Sequence, residues 1–491
     1  MDASSGRHAT AASALLVGLL VLIAWLPVPL GSNRAWSAAL MHAGAMTLLG
    51  VWCLGFAGQA TSATPAVRKG KAALVLFALW VLYVALQTLP IPPALLAILS
   101  PKAYEHYSIA AGAGYAPLST LSLDAGTTLS MLQKIAAYVA MFFLTLALVT
   151  SRRRLKLMLT VFTLVGTVEA FYGILAYVGR DHFALWYPGI WGNSVSGTYV
   201  NRNHFAGLME VTIPAAIGLL LARSSVRYGR GWREALRSGM DFVLKDSGWV
   251  SFCLLIMFTA LILSSSRGGV AALVFSVGLV TALAVVFRGR GAAESRVPVK
   301  LGVLAIVGVA WLGAGGIVEK LENVGFANNR GEIREALYAM VADFWLTGSG
   351  AGTFQWVFPA YKTEALGGGY YEHAHNDFLE LLAEQGAIGF ALAGAAICIL
   401  MFKIVSAYLR RNDPLMRGAL FFALCGATSL LVHGLVDFNL TIPANAALFF
   451  VLLGVGLVAA EMNRRSNRPP GLRGEPETTD DLGQQIQRKA A

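Results

Sequence analysis

HNDFLELLAEQGAIG, His375 to Gly389, runs directly into FALAGAAICILMFKIV, Phe390 to Val405, and the join between them sets the reading of this chain. The first part is polar and helix-compatible, led by His and Asn and closed by two glycines. The second is apolar and long enough to cross a bilayer, whose hydrocarbon core takes about 20 residues of helix. A histidine held where such a span meets water is a candidate proton acceptor, because imidazole titrates near neutral pH.

The rest of the chain follows that pattern. Of 491 residues, 56% are hydrophobic and only 13% charged, against about 25% charged in soluble domains. The mean hydropathy of +0.62 points the same way. Cys53, Cys253, Cys398 and Cys425 all fall inside apolar runs, which argues against a disulfide framework or a thiolate metal site. The net charge of +11 fits basic cytoplasmic loops facing anionic headgroups better than a nucleic-acid partner.

Apolar cores recur about a dozen times: Ala14–Leu30, Trp36–Phe56, Ala72–Leu89, Ile135–Thr150, Leu157–Val178 and Phe205–Ala222, then Trp249–Leu263, Val270–Phe287, Leu301–Val318, Ile388–Val405, Ala419–Val436 and Ile442–Ala460. The first lacks a small-x-small cleavage site after it and reads as a span, not a signal peptide. The expected fold is all-α, a polytopic membrane protein with about 12 transmembrane helices. Residues 1–156 hold the first four, 157–460 form the core, and 461–491 form a polar, disordered tail. Basic clusters at Arg68–Lys71, Arg152–Lys156, Arg223–Arg237, Arg288–Lys300, Arg410–Arg417 and Arg464–Arg468 then all fall on one side, which the positive-inside rule makes cytoplasmic. The outer side receives Pro90–Leu129, Gly179–His204 and the longest segment, Glu319–Gln385.

The longest outer segment reads as a folded helical cap. Ile333, Ala336, Leu337, Met340, Val341 and Phe344 have the spacing of an amphipathic helix, and Asn329 with Glu332 resembles a capping box at its start. Arg330 and Arg334 lie one turn apart on that helix; they read either as a solvated pair with Glu332 and Glu335 or as an anion-binding pair. Arg267, in the short turn SSSRGG, is pinned at the outer interface as a snorkelling anchor or an anion contact, and its glycines would let a ligand approach the backbone. Arg202 and His204 stand at the entry to the sixth span among Asn201 and Asn203, preceded by Trp186, Tyr187 and Trp191. That group reads as an aromatic belt with a helix cap, or as a sugar-contacting loop. His373 and His375 alone are weak evidence for a metal. Glu169, Glu210, His433 and Asp437 are ionisable groups within or beside spans; Asp437 is expected to pair with an outer arginine.

Taken in order, these pieces resemble the bacterial O-antigen ligase family, with its related O-antigen and exopolysaccharide polymerases. His375-Asn376, nine residues, then Gly386-x-x-Gly389 resembles that family's H-[N/S/Q]-x9-G-x-x-G signature. Arg330 with GSGAGTF (Gly348–Phe354), SGTYVNRNHFAG (Ser196–Gly207) and SSSRGG (Ser264–Gly269) resemble its other outer elements. The resemblance spans roughly Leu157 to Ala460; His373 is no part of the pattern.

The resemblance implies a bacterial inner-membrane glycosyltransferase whose cap, 319–385, is periplasmic. It would move a glycan from undecaprenyl diphosphate to an acceptor hydroxyl, with inversion and without metal or other cofactor. The acceptor would be lipid A–core in a ligase and another lipid-linked glycan in a polymerase. His375 would be the general base, and Arg202, Arg267, Arg330 and Arg334 would meet the diphosphate. Asn376, Asn203, His204, Gly386, Gly389 and Asp437 would support them. A polysaccharide flippase or transporter is the alternative, since about twelve spans also suit one; the gathering of polar residues at one face favours the enzyme.

Overall fold

The computed structural model describes residues 3–56, 64–115, 118–179, 194–223, 248–288, 325–366 and 369–462, and its regular elements are helices. Among the described residues, eight helices are long and apolar enough to cross a membrane: Ala35–Gly55, Ala125–Leu148, Arg152–Gly179, Arg202–Arg223, Arg267–Phe287, Asp377–Arg410, Pro414–His433 and Pro443–Glu461. Three shorter apolar helices, Thr10–Trp25, Lys71–Gln87 and Gly248–Leu263, stand at three further expected spans. The expected span Leu301–Val318 lies outside the described residues.

Helix ends depart from the hydropathy reading where local chemistry overrides it. The first helix stops at Trp25, short of Leu30, because Pro27 and Pro29 follow and neither has an N–H to give a continuing helix. The fourth begins at Ala125 instead of Ile135, capped by Asp124, whose side chain accepts from Thr127 N at 3.0 Å. The amphipathic helix runs Gly325–Asp343, so it begins four residues before Asn329, the expected start.

The centre of the bundle is built from Arg202–Arg223, Pro414–His433 and Pro443–Glu461, which are buried along nearly their whole length. The first two touch backbone to backbone. A Cβ at Gly218 would overlap the Gly418 carbonyl, and one at Gly418 would overlap that of Gly218. Small residues permit such close approach between apolar helices, where packing replaces the hydrophobic drive.

Several basic segments meet at one end of this bundle. Arg152 forks onto Asp413 at 2.6 and 3.0 Å, Lys403 reaches the Lys69 carbonyl at 2.6 Å, and Arg411 reaches the carbonyls of Ala460 and Met462. At the other end, segments 90–124 and 325–385 share a second hydrophobic core containing Leu96, Leu121, Leu337, Met340, Phe344 and Phe358. The amphipathic helix puts Ala336, Leu337 and Met340 into it as its spacing requires.

Candidate functional site at the histidine end of the bundle

The Asp377–Arg410 helix carries both the polar lead and the tenth expected span, with a break between them at Gly386 (φ 61°, ψ −172°). That conformation favours glycine, and a Cβ there would overlap the Leu346 carbonyl. Ala387 N then donates to Trp345 O at 2.7 Å. Gly389 stays helical; it makes room for Gln385, whose Oε1 accepts from Trp80 Nε1 at 2.6 Å. Only one of the two glycines is therefore the hinge.

The glycine run Gly348–Gly352 packs against this hinge and is knit there by backbone bonds. Ser349 N and Gly350 N donate to Ala383 O and Glu384 O at 3.0 and 2.9 Å. The Glu384 carboxylate accepts from Gly352 N at 2.8 Å and Phe354 N at 2.9 Å. The side chain of Gln87 donates to Thr347 O at 2.8 Å and accepts from Ala351 N at 3.2 Å.

His375 precedes the helix with φ 50°, a conformation rare for residues other than glycine. Its neighbours hold it there. Asn376 caps the helix, accepting from Phe378 N and Leu379 N at 3.1 and 3.0 Å, while its Nδ2 donates to Leu435 O at 2.9 Å. Asp377 N donates to Gly434 O at 2.8 Å, and the Asp377 carboxylate accepts from Leu440 N at 3.0 Å. Residues 375–377 are thus fastened to loop 434–442, between the last two helices. Asp377 is a site residue that the sequence reading missed.

Asp437 lies on that loop, 3% exposed. Its Oδ1 faces His375 Nδ1 at 3.3 Å and accepts from Phe438 N at 2.9 Å; its Oδ2 accepts from Asn203 Nδ2 at 2.5 Å. Burial would raise its carboxyl, but the hydrogen bond from His375, the His204 imidazole, the Phe438 N–H and the His433 imidazole together outweigh that and lower it from 3.8 to about 2. The expected arginine partner is a correction: imidazole and amide groups surround this buried carboxylate, while Arg202 and Arg267 are exposed. His375 keeps half its side chain exposed, with Nε2 free of any partner among the described residues.

Phe438 is the hub of the site. His375 meets its ring edge-on at 4.8 Å, His204 edge-on at 4.6 Å, and His373 stacks on it at 4.5 Å. His204 is buried, and its Nε2 has no hydrogen-bond partner among the described residues. His373 Nδ1 bonds Glu380 Oε1 at 2.7 Å. On its far side Glu380 borders a cavity of about 150 Å³ with mainly apolar walls, including Trp80, Phe390 and Phe449. Deeper in the bundle His433 Nδ1 bonds Glu210 Oε1 at 2.6 Å, and Ser429 donates to Glu210 Oε2 at 2.7 Å. A singled-out residue there, Glu169, instead accepts from Thr198 N at 3.0 Å.

Arg202 and Arg267 each open a helix, and among the described residues neither carries an ion pair. Both sit beside the site through their neighbours: Asn203 bonds Asp437, and a Cβ on Gly268 would come within 2.9 Å of His433 Nε2. A helix N-terminus carries partial positive charge, which an arginine adds to and an anion neutralises. Gly268 and Gly269 serve packing, against His433 and against Ala206 and Glu210, not approach to a ligand. Arg330 and Arg334 fall on the Gly325–Asp343 helix; their side chains, and Trp186, Tyr187 and Trp191, lie outside the described residues.

The bundle and its polar end define a multi-pass, all-helical membrane protein with a histidine–carboxylate site at one end. Residues 252–394 match the family model described as O-Antigen ligase, a likeness that supports the O-antigen ligase family and a membrane glycan-transferring function. The match takes in Arg267, Arg330, Arg334, His375, Asn376, Gly386 and Gly389; Arg202, Asn203, His204 and Asp437 lie beyond it. No curated protein matches the chain significantly.

Proposed function

We propose that the protein transfers a glycan from undecaprenyl diphosphate to an acceptor hydroxyl at the periplasmic face of the bacterial inner membrane. The observation that carries this reading is His375, half exposed, with Nδ1 turned to the buried Asp437 carboxylate and Nε2 open. In that arrangement Nε2 takes the proton of the acceptor hydroxyl as its oxygen attacks the anomeric carbon. The bond from that carbon to the diphosphate oxygen breaks on the opposite face, and the configuration inverts. Asp437 fixes the tautomer and stabilises the imidazolium that forms, as the carboxylate does in a Ser-His-Asp triad. Arg202 and Arg267, with Arg330 and Arg334, take up the charge of the departing diphosphate; no metal is assigned a step. The basic end of the bundle faces the cytoplasm and the 319–385 cap faces the periplasm.

The test is deletion of the gene followed by glycolipid analysis, with complementation by wild type and His375→Ala. Full-length polymer accumulating on the carrier identifies a ligase, and single repeats identify a polymerase. Transfer that persists in a correctly inserted His375→Ala protein refutes the mechanism. Movement of labelled lipid-linked glycan across proteoliposomes with no change of linkage would establish the flippase instead.

A further inference from the structure

His373 lies outside the family signature and has no part in the mechanism above, yet it is built into the site as firmly as His375. Its ring stacks on Phe438, 26° from parallel, while His375 meets the same ring edge-on. Glu380 holds it from the other side: Oε1 takes Nδ1 at 2.7 Å, and Oε2 accepts from Ala374 N at 2.7 Å. With 3% of its side chain exposed, Glu380 has little water to answer its charge, and the imidazole supplies the opposite one. A fixed ring leaves Nε2 pointing in one direction, and Nε2 has no partner among the described residues. His373 keeps 20% of its side chain exposed, so that atom is open to a ligand.

The two imidazoles share one phenyl ring but differ in environment. Burial alone would lower His373. The charge and hydrogen bond of Glu380, with the charges of Glu372 and Glu384 beyond it, outweigh burial and raise it from 6.5 to about 9. A ring that keeps its proton at neutral pH cannot accept one from a hydroxyl. It can donate a charge-assisted hydrogen bond, and the partner that suits it is an anionic oxygen. This division of labour follows a general rule, that neighbouring titratable groups whose environments differ take opposite proton roles.

We propose that His373, paired with Glu380, is a substrate-contacting residue whose Nε2–H binds a diphosphate oxygen of the lipid-linked donor. The inference rests on the proposed glycan transfer. In that reaction His375 removes the acceptor proton, the diphosphate leaves with its electron pair, and His373 keeps its proton while hydrogen-bonding the leaving oxygen. It adds a cation to those of the arginines from a residue that also fixes the loop before the helix.

The experiment measures binding of farnesyl diphosphate and of farnesol to the purified full-length protein in detergent. Wild type is compared with His373→Gln, His373→Lys and Arg267→Ala. Loss of one charge-assisted contact predicts about tenfold weaker diphosphate binding for His373→Gln, with His373→Lys within about threefold of wild type and farnesol binding unchanged in both. Equal diphosphate binding by wild type and folded His373→Gln, with loss in Arg267→Ala, overturns the inference and leaves the donor reading standing. Absence of diphosphate binding by the wild type overturns both. If His373→Gln does not fold, the wild type labelled with 15N-histidine decides: a His373 Nε2 resonance that shifts with farnesyl diphosphate and not with farnesol supports the contact, and one that does not move refutes it.

Discussion

Asp437→Asn separates the charge of the dyad from its shape. Three donors point at the carboxylate: His375 Nδ1 and Phe438 N at Oδ1, and Asn203 Nδ2 at Oδ2. An asparagine keeps an acceptor for the first two if its NH2 takes the place of Oδ2. The resulting clash with Asn203 is relieved when that amide turns over and offers its oxygen. The fold therefore survives, minus the charge. Moving a carboxyl from 3.8 to about 2 corresponds to about 2 kcal/mol in favour of its ionised form, which is the scale of the stability loss expected. The sign follows from the lowered value: this contribution is present above pH 3.8 and is lost as pH falls through about 2, so it is constant across the working range. Transfer should suffer more than stability, because the imidazolium formed in the transition state loses its counter-charge; removal of such a carboxylate costs about 10⁴-fold in a serine protease, and a drop of about 10²–10⁴ is expected here. The assay is glycan transfer in vitro beside thermal unfolding in detergent, for Asp437→Asn, His375→Ala and the double variant. If the dyad acts as a unit, the double variant is no slower than His375→Ala. Single losses that multiply, or a folded Asp437→Asn within about threefold of wild type, would refute the reasoning.

Other outcomes follow from the same geometry. Gly386→Ala adds a Cβ against the Leu346 carbonyl at φ 61° and should cost about 3 kcal/mol or more; a melting temperature unchanged from wild type would show that the hinge tolerates a side chain. Glu384→Gln replaces one of two accepting oxygens by an NH2 donor and can accept from only one of Gly352 N and Phe354 N, so hydrogen exchange across 348–354 should rise with a loss of about 1–3 kcal/mol. Arg202→Ala and Arg267→Ala remove exposed side chains and should leave stability within about 0.5 kcal/mol while weakening donor binding, measured by melting and lipid diphosphate titration. His373, raised to about 9 by Glu380, Glu372 and Glu384, contributes stability that is complete below pH 6.5 and lost as pH rises through about 9, at most about 3 kcal/mol; His373→Gln should flatten stability over that interval.

The helices were legible because lipid leaves one strong signal, uninterrupted apolar length, and His375 with Asn376 was legible because a helix start is encoded within a few residues. A hinge at the two glycines could be read too, since glycines between a polar helix and a span have few other uses, but not that Gly386 alone would form it. Asp437 could be flagged as ionisable beside a span, but its partner could not be named: His375 lies 62 residues away, and the arginines were the nearer guess by charge alone. Phe438 and His373 were missed in their roles for the same reason, as an aromatic after an aspartate carries no mark of the three imidazoles gathered on it. The glycine run could be matched to a family element, yet its partners are Gln87 and Glu384, which no local pattern connects to it.

His375 stands before one membrane-crossing helix and Asp437 after the next, the two helices running in opposite directions. A chain that failed to insert one member of that hairpin would leave the imidazole and the carboxylate on opposite faces of the bilayer. The pairing of His375 with Asp437 therefore depends on both helices inserting, and under the proposed function a mis-threaded copy would lack the base matched to its carboxylate.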